Sequence, residues 1–467
     1  MLFNSFQFLL FFPIVTIIYF LLPHKLRWLY LLISSCIFYI SFIPVYIFIL
    51  FFTIIIDYVA AIMIENKQGR KRKIFLILSI IANVGVLAVF KYYNFFIDNI
   101  NTLFNDINIK TYSFPLLNII LPIGLSFHTF QAMSYTIEVY RGKQKAEKHF
   151  GIYALYVMFW PQLVAGPIER PQNMLHQFYT RHSFNNEHIA KGLRLMLWGF
   201  FLKVVIADRL ALYVDAVYNN VGEHNGTTLL LATLFFAFQI YCDFAGYSYI
   251  AIGSAQVMGF NLMTNFNHPY FSKSIAEFWQ RWHISLSTWF RDYLYIPLGG
   301  NRVSIQRWYF NLFFVFLISG LWHGANWTFI IWGGSNGLYL VFALITNKWW
   351  NAVNRRIGIT RYQRIYNVIR ILTTFVLIDF AWIFFRANTI SDAFIIIKKI
   401  FSARGTLFTF SDPALIPYSI FGILSLLIVE CKREYFRDKY LFLSSKNIYI
   451  RPVLYFCCRC YFIISCF

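Results

Sequence analysis

An all-α, polytopic integral membrane protein is the fold class this 467-residue chain predicts, and three observations predict it. The chain is 59% hydrophobic and 21% aromatic with only 13% charged residues, a balance that no soluble domain of this size keeps in solution. Apolar runs of about 17 to 25 residues, the length that crosses a bilayer, recur along nearly the whole chain, about eleven of them. The residues behind the net charge of +21 lie in short clusters between apolar runs. Such clusters are topology signals and not a basic domain for nucleic acid, so no nucleic-acid partner is expected. The expected organisation is one membrane domain over 1–467.

Residues 1–22 read as the first membrane helix, because no basic segment precedes Leu2-Phe3 and no small-residue cleavage pattern follows. Further apolar runs reach to about Phe96 with few polar interruptions, which suits scaffold and lipid contact. Lys25 and Arg27 separate the first two runs, and Lys67, Arg70, Lys71, Arg72 and Lys73 follow the third. With the N-terminus outside, both clusters are cytoplasmic. The Asn-rich stretch from Asp98 to Lys110 then reads as an extramembrane loop on the outer face. Pro122, Gly124, Ser126, His128, Thr129 and Gln131 interrupt apolar sequence in the manner of a broken or re-entrant segment lining a cavity. Arg141, Lys143, Lys145 and Lys148 form a basic cytoplasmic loop, and Pro161, Gly166 and Pro167 stop the next apolar run. The seven cysteines have no disulfide spacing. Cys457, Cys458 and Cys460 in the tail have no histidine near them and read as incidental, and no metal site is expected.

Chemistry concentrates in three places. The segment Glu277 to Tyr293 reads as one amphipathic helix ended by Pro297 and Gly299-Gly300, with Gln280, His283, Ser287 and Arg291 forming a polar stripe at spacings of three and four. Glu277 and Arg281 can pair one turn apart. Either the helix lies at the interface with its tryptophans at headgroup level, or its stripe, with Arg281, Ser287 and Arg291, faces an aqueous funnel and binds a phosphate-bearing donor. His323 lies within the apolar stretch Phe313 to Ile345, where an ionisable side chain is costly and is usually functional. Trp322 and Trp327 would shield it, Gly324 would allow close approach, and Asn326 adds a polar group. A desolvated, neutral imidazole there can take a proton from a hydroxyl under acylation, although a histidine that only bonds a neighbouring helix also fits. Asp243 lies within the apolar run Thr228 to Phe260 as a substrate contact or an interhelical hydrogen-bond partner. His128 reads as a polar lining residue.

Leu121 to Phe127, Pro161 to Ile168, Phe278 to Asn301, Leu321-Trp322-His323-Gly324 and Phe380 to Arg386 resemble, in order, the signatures of membrane-bound O-acyltransferases, and most of all their bacterial alginate O-acetylation branch. The likeness spans roughly residues 1–400. It implies a multi-pass protein of the bacterial cytoplasmic membrane, with a curved ring of helices, re-entrant segments and a central funnel. It also implies a catalytic His323, with His283 as a second, assisting or structural histidine. Acetyl-CoA or another acyl thioester is the implied donor, and the acyl group passes outward through an esterase-like extracytoplasmic partner to a polysaccharide. Tyr249 stands where the branch often has an acidic residue, and Asn336 where it often has a histidine. The tail from Arg451 does not resemble the usual last helix.

Two other functions fit the same residues. One is D-alanyl transfer to teichoic acid. The other is a glycan or lipid transporter, against which stand the absence of visible repeats and the confinement of polar residues to a few segments.

Overall fold

The computed structural model describes residues 1–107, 114–118, 122, 124–164, 166–410 and 412–436, and among these there are helices and no strands. The chain forms two compact units: Met1–Leu193 with Ala251–Met263, and Arg194–Ile250 with Thr264 onward. The sequence leads one to expect about eleven membrane helices by run length. Among the described residues six are long and apolar enough to cross a membrane, and Phe6–Leu21 is a shorter apolar helix.

The first unit holds α1 (Phe6–Leu21), α2 (His24–Ile40), α3 (Tyr46–Asn66), α4 (Gly69–Leu87), α5 (Tyr93–Asp106), α6 (Leu125–Tyr140), α7 (Phe150–Met158), α8 (Trp160–Leu163) and α9 (Pro171–Tyr179). A π turn at Ala88–Tyr92 joins α4 to α5. The expected loop at 98–110 is therefore helical as far as Asp106, and 108–110 lie outside the described residues. Its asparagines are not loop formers. Asn101 holds the passing segment at Phe114, as Asn94 just before the stretch does at Leu117, and Asn99 donates to the Phe95 carbonyl one turn back. The expected re-entrant segment is, from Leu125 on, an ordinary helix in the core, entered through Gly124 at φ +78°. His128 is buried there and hydrogen-bonded to Thr53 at 2.6 Å. Buried polar side chains tie α3, α4 and α6: Asp57 accepts from Ser79 at 2.6 Å and from Asn83 at 2.9 Å.

Next come α10 (Asn186–Phe200), α11 (Asp208–Tyr218) and α12 (Gly226–Val257), with α10 and α11 joined by a π turn at Phe201–Ala207. The second unit continues through α13 (Ile275–Arg281), α14 (Ile284–Phe290), α15 (Ile305–His323), α16 (Trp327–Arg356), α17 (Gln363–Arg386), α18 (Ile390–Ser402) and α19 (Leu415–Tyr435). The apolar stretch 313–345 is not one helix but the antiparallel hairpin of α15 and α16. It turns at Gly324, whose extended backbone ends α15, and at Asn326, whose side chain accepts the Thr328 amide and caps α16. Small residues bring the two helices together, the usual device of helix pairs in lipid. A Cβ on Gly320 would run into the Phe329 carbonyl oxygen, and one on Gly333 into the Phe316 carbonyl oxygen.

Because neither backbone oxygen can move without breaking its own helix, Gly333→Leu should lower stability by about 3 kcal/mol or more. The midpoint of thermal unfolding in detergent reads this, and an unchanged midpoint would mean the hairpin does not need the close crossing.

Candidate active site

In the second unit the sequence-selected segment 277–293 carries a backbone break. The expected helix over 277–293 is interrupted, since α13 ends at Arg281 and α14 starts at Ile284. His283 sits in the gap at φ +43°, a left-handed conformation rare outside glycine. His268, at φ +45°, is the other such residue among those described. The backbone groups freed by the break are satisfied by the segment just before His268, with Ile284 N donating to Asn265 O and Asn267 N to Arg281 O, both at 2.9 Å.

The break rotates the expected stripe out of register. Ser287 spends its hydroxyl on the Trp282 carbonyl at 3.2 Å, and Arg291 bonds Asp292 at 2.8 Å with most of its side chain exposed. Arg281 pairs with Glu277 at 2.7 Å, as the spacing predicts, and it also pairs in bidentate fashion with Glu434 of α19 at 2.9 and 3.0 Å. One turn earlier on α19, buried Glu430 accepts from the Tyr241 hydroxyl and lies 3.5 Å from His268. The end of α19 thus binds Arg281 on one of the segments that frame His283 and lies beside His268 on the other.

The two histidines meet through one indole. The Trp322 ring centroid lies 6.2 Å from that of His283 and 4.9 Å from that of His323. His283 is enclosed at 2% exposure, with Phe244 edge-on at 4.6 Å. His323 is half-buried between Trp322, Trp332 at 5.0 Å and Phe385 at 5.3 Å. It is the last residue of α15 and not a mid-helix side chain. The space beside Gly324 is filled by the Phe329 ring, and Trp327 is half exposed, so Trp322 and Trp332 do the shielding expected of Trp327. Asn326, besides capping α16, donates to the Asn388 carbonyl at 3.1 Å.

Asp243 is not deep in the core. Its side chain is 47% exposed and paired at 2.6 Å with Lys203, which also meets Asp208 at 2.7 Å from the π turn after α10. Asn336 is fully buried and bonds the Trp332 carbonyl one turn back. The tail cysteines lie outside the described residues.

The match to the family model of membrane-bound O-acyltransferases runs over residues 149–387, 239 of the 467, and contains both histidines. The chain belongs to the membrane-bound O-acyltransferase family. It is therefore a multi-pass membrane acyltransferase. Among its relatives, a probable alginate O-acetylase AlgI of Pseudomonas aeruginosa is 40% identical over 405 residues, covering 86% of this chain and 75% of the relative. A peptidoglycan O-acetyltransferase of Helicobacter pylori is 36% identical over 404 residues, 81% and 74% of the two chains. A teichoic acid D-alanyltransferase of Bacillus subtilis is 26% identical over 283 residues, 58% and 70%.

Sequence reasoning on this acyltransferase missed Asn265, Lys203, Glu430 and Glu434, because each gains its role from a distant partner. The one local sign was a pair of carboxylates at the end of an apolar run, Glu430 and Glu434 one turn apart.

If Arg281 is a clamp, Arg281→Ala and Glu434→Ala should each destabilise the protein, and the double variant should lose less than the sum, with a coupling of about 1 kcal/mol or more. Additive losses in a denaturant series would mean that the pair contributes nothing to holding the break.

Proposed function

We propose that this acyltransferase is an O-acetyltransferase of the bacterial cytoplasmic membrane, moving acetyl from cytoplasmic acetyl-CoA toward an exported or cell-wall polysaccharide. The observation that carries the reading is the His283 and His323 pair about Trp322, in a chain 36% and 40% identical to relatives named for O-acetylation. Both compact units act as one acyltransferase domain, in keeping with similarity over 86% of the chain.

Topology supports the side on which each step occurs. Arg302 and Arg307 flank the start of α15, Arg355 and Arg356 end α16, and Arg361 and Arg364 open α17. By the positive-inside rule that end of the hairpin is cytoplasmic. His323, at the far end of a 19-residue helix, is then about 28 Å away, near the outer limit of a ~30 Å hydrocarbon layer. A base placed there meets a hydroxyl arriving from outside.

The chemistry assigned to it is proton removal. As the acceptor oxygen attacks the acyl carbon, its proton passes to the His323 imidazole, the C–S bond breaks, and the thiolate leaves and takes up a proton. The enclosing rings exclude water, which would otherwise compete as acceptor. Trp322 and Asn326 border the acceptor side, and Arg291, the most exposed guanidinium of the set, is assigned to donor phosphates. His283 assists from the enclosed side. We assign Arg281, Ser287 and Asp243 to positioning, since each is engaged within the protein. An esterase-like extracytoplasmic partner completes the transfer to the polysaccharide.

His323→Ala and His323→Gln, at equal membrane levels, should each reduce ester-linked acetate on surface polysaccharide by about a hundredfold or more, the scale of a lost general base. Unchanged acetate would remove His323 as the base, and ester-linked D-alanine in its place would favour the alanyl reading.

A further inference from the structure

We infer that Asn265 is a positioning residue for the acyl transfer, holding His283 at the backbone break and against its aromatic wall. This rests on the proposed role of the histidine pair.

Asn265 is fully buried and is bonded to both the segment that follows His283 and α12. Its backbone oxygen takes the Ile284 amide at 2.9 Å, immediately after the histidine. Its side-chain oxygen takes the Ser285 amide at 3.3 Å and the Ser285 hydroxyl at 3.0 Å. The next helix is thus started by a residue 20 positions away in sequence. Its amide nitrogen donates to the Ser248 hydroxyl of α12 at 3.2 Å. Ser248 is one helical turn beyond Phe244, whose edge meets the His283 ring at 4.6 Å. One amide therefore joins the segment that carries the imidazole to the helix that walls it.

The geometry requires such a residue. At φ +43° the His283 backbone is in a conformation that persists only where its surroundings over-determine it, and such strain costs about 1 to 3 kcal/mol. Without a side-chain acceptor at 265, the Ser285 amide loses its cap, and the break can relax by rotating His283 out of the left-handed region. The imidazole would then leave the Trp322 ring that it shares with His323. Asparagine serves because it accepts from Ser285 while donating to Ser248. Aspartate keeps the acceptor, and its second oxygen can accept from the Ser248 hydroxyl, whereas leucine keeps neither.

The test uses full-length protein in native membranes, with acetyl-CoA as donor and the exported polysaccharide of the same cells as acceptor. Hydrogen exchange of peptides covering 283–287 is measured in parallel on the detergent-solubilised chain. Asn265→Leu should lower kcat by about tenfold to a hundredfold with the KM for acetyl-CoA within about threefold, the scale of a small misplacement of a catalytic group. It should also speed exchange at Ser285 at least about tenfold. Asn265→Asp should stay within about threefold of wild type in both. A wild-type kcat and exchange rate in Asn265→Leu overturns the inference, and so does an aspartate variant as impaired as the leucine one. If Asn265→Leu does not accumulate, Asn265→Asp decides alone, a tenfold loss of kcat or of protection overturning the proposal. If wild-type membranes transfer no acetyl, the functional reading fails, and the exchange measurement still decides whether Asn265 holds the break.

Discussion

A chain that leaves the helix inside a membrane protein must find new partners for the amides and carbonyls it frees, because lipid offers none. The rest of the second unit depends on how that constraint is met at residues 282–284. Asn265 and Asn267 supply the backbone partners, and Glu434 of α19 holds the flanking Arg281. Once these are in place, a non-glycine residue can occupy a left-handed conformation and present an imidazole where a continuous helix would present only a helical face.

The aromatic residues carry the consequence of the break into the site. Trp322 is in ring contact with both imidazoles, and Trp332 and Phe385 also pack against His323. Rings at such distances pack edge to face or offset, so their positions are mutually dependent, and a shift of the α15 and α16 hairpin would move His323 and its walls together. The glycines that let the hairpin close are therefore part of the same arrangement as the histidines, although they touch no substrate.

Much of the fold was legible because its cause is local. Apolar runs of bilayer length, prolines at their ends and basic clusters between them identify a polytopic helical protein whatever the tertiary arrangement. His283, His323 and Trp322 were legible as well, since polar and aromatic residues concentrated in otherwise apolar sequence stand out. Misreadings arose where two local patterns look alike. The segment 277–293 has helical periodicity on both sides of His283, so periodicity runs through the break unaltered. The Asn-rich run after Phe96 looked like a loop because asparagine favours turns, but an amide in it bonds a neighbouring segment, as at Asn101.

By itself, then, the order of residues determined that this chain is a membrane helical protein and which ionisable and polar side chains stand in apolar sequence, because hydrophobicity and side-chain chemistry belong to each residue. Only the tertiary structure decided which of those polar groups are engaged within the protein. Arg281, Ser287 and Asp243 look like substrate contacts in sequence and prove to be engaged by Glu434, the Trp282 carbonyl and Lys203. Asn265, unremarked in sequence, proves to cap the helix that follows His283. The physical reason is that a hydrogen bond or ion pair is a property of two groups and the distance between them, and the partners can be far apart in sequence, 17 positions for Asn265 and Ser248 and 153 for Arg281 and Glu434.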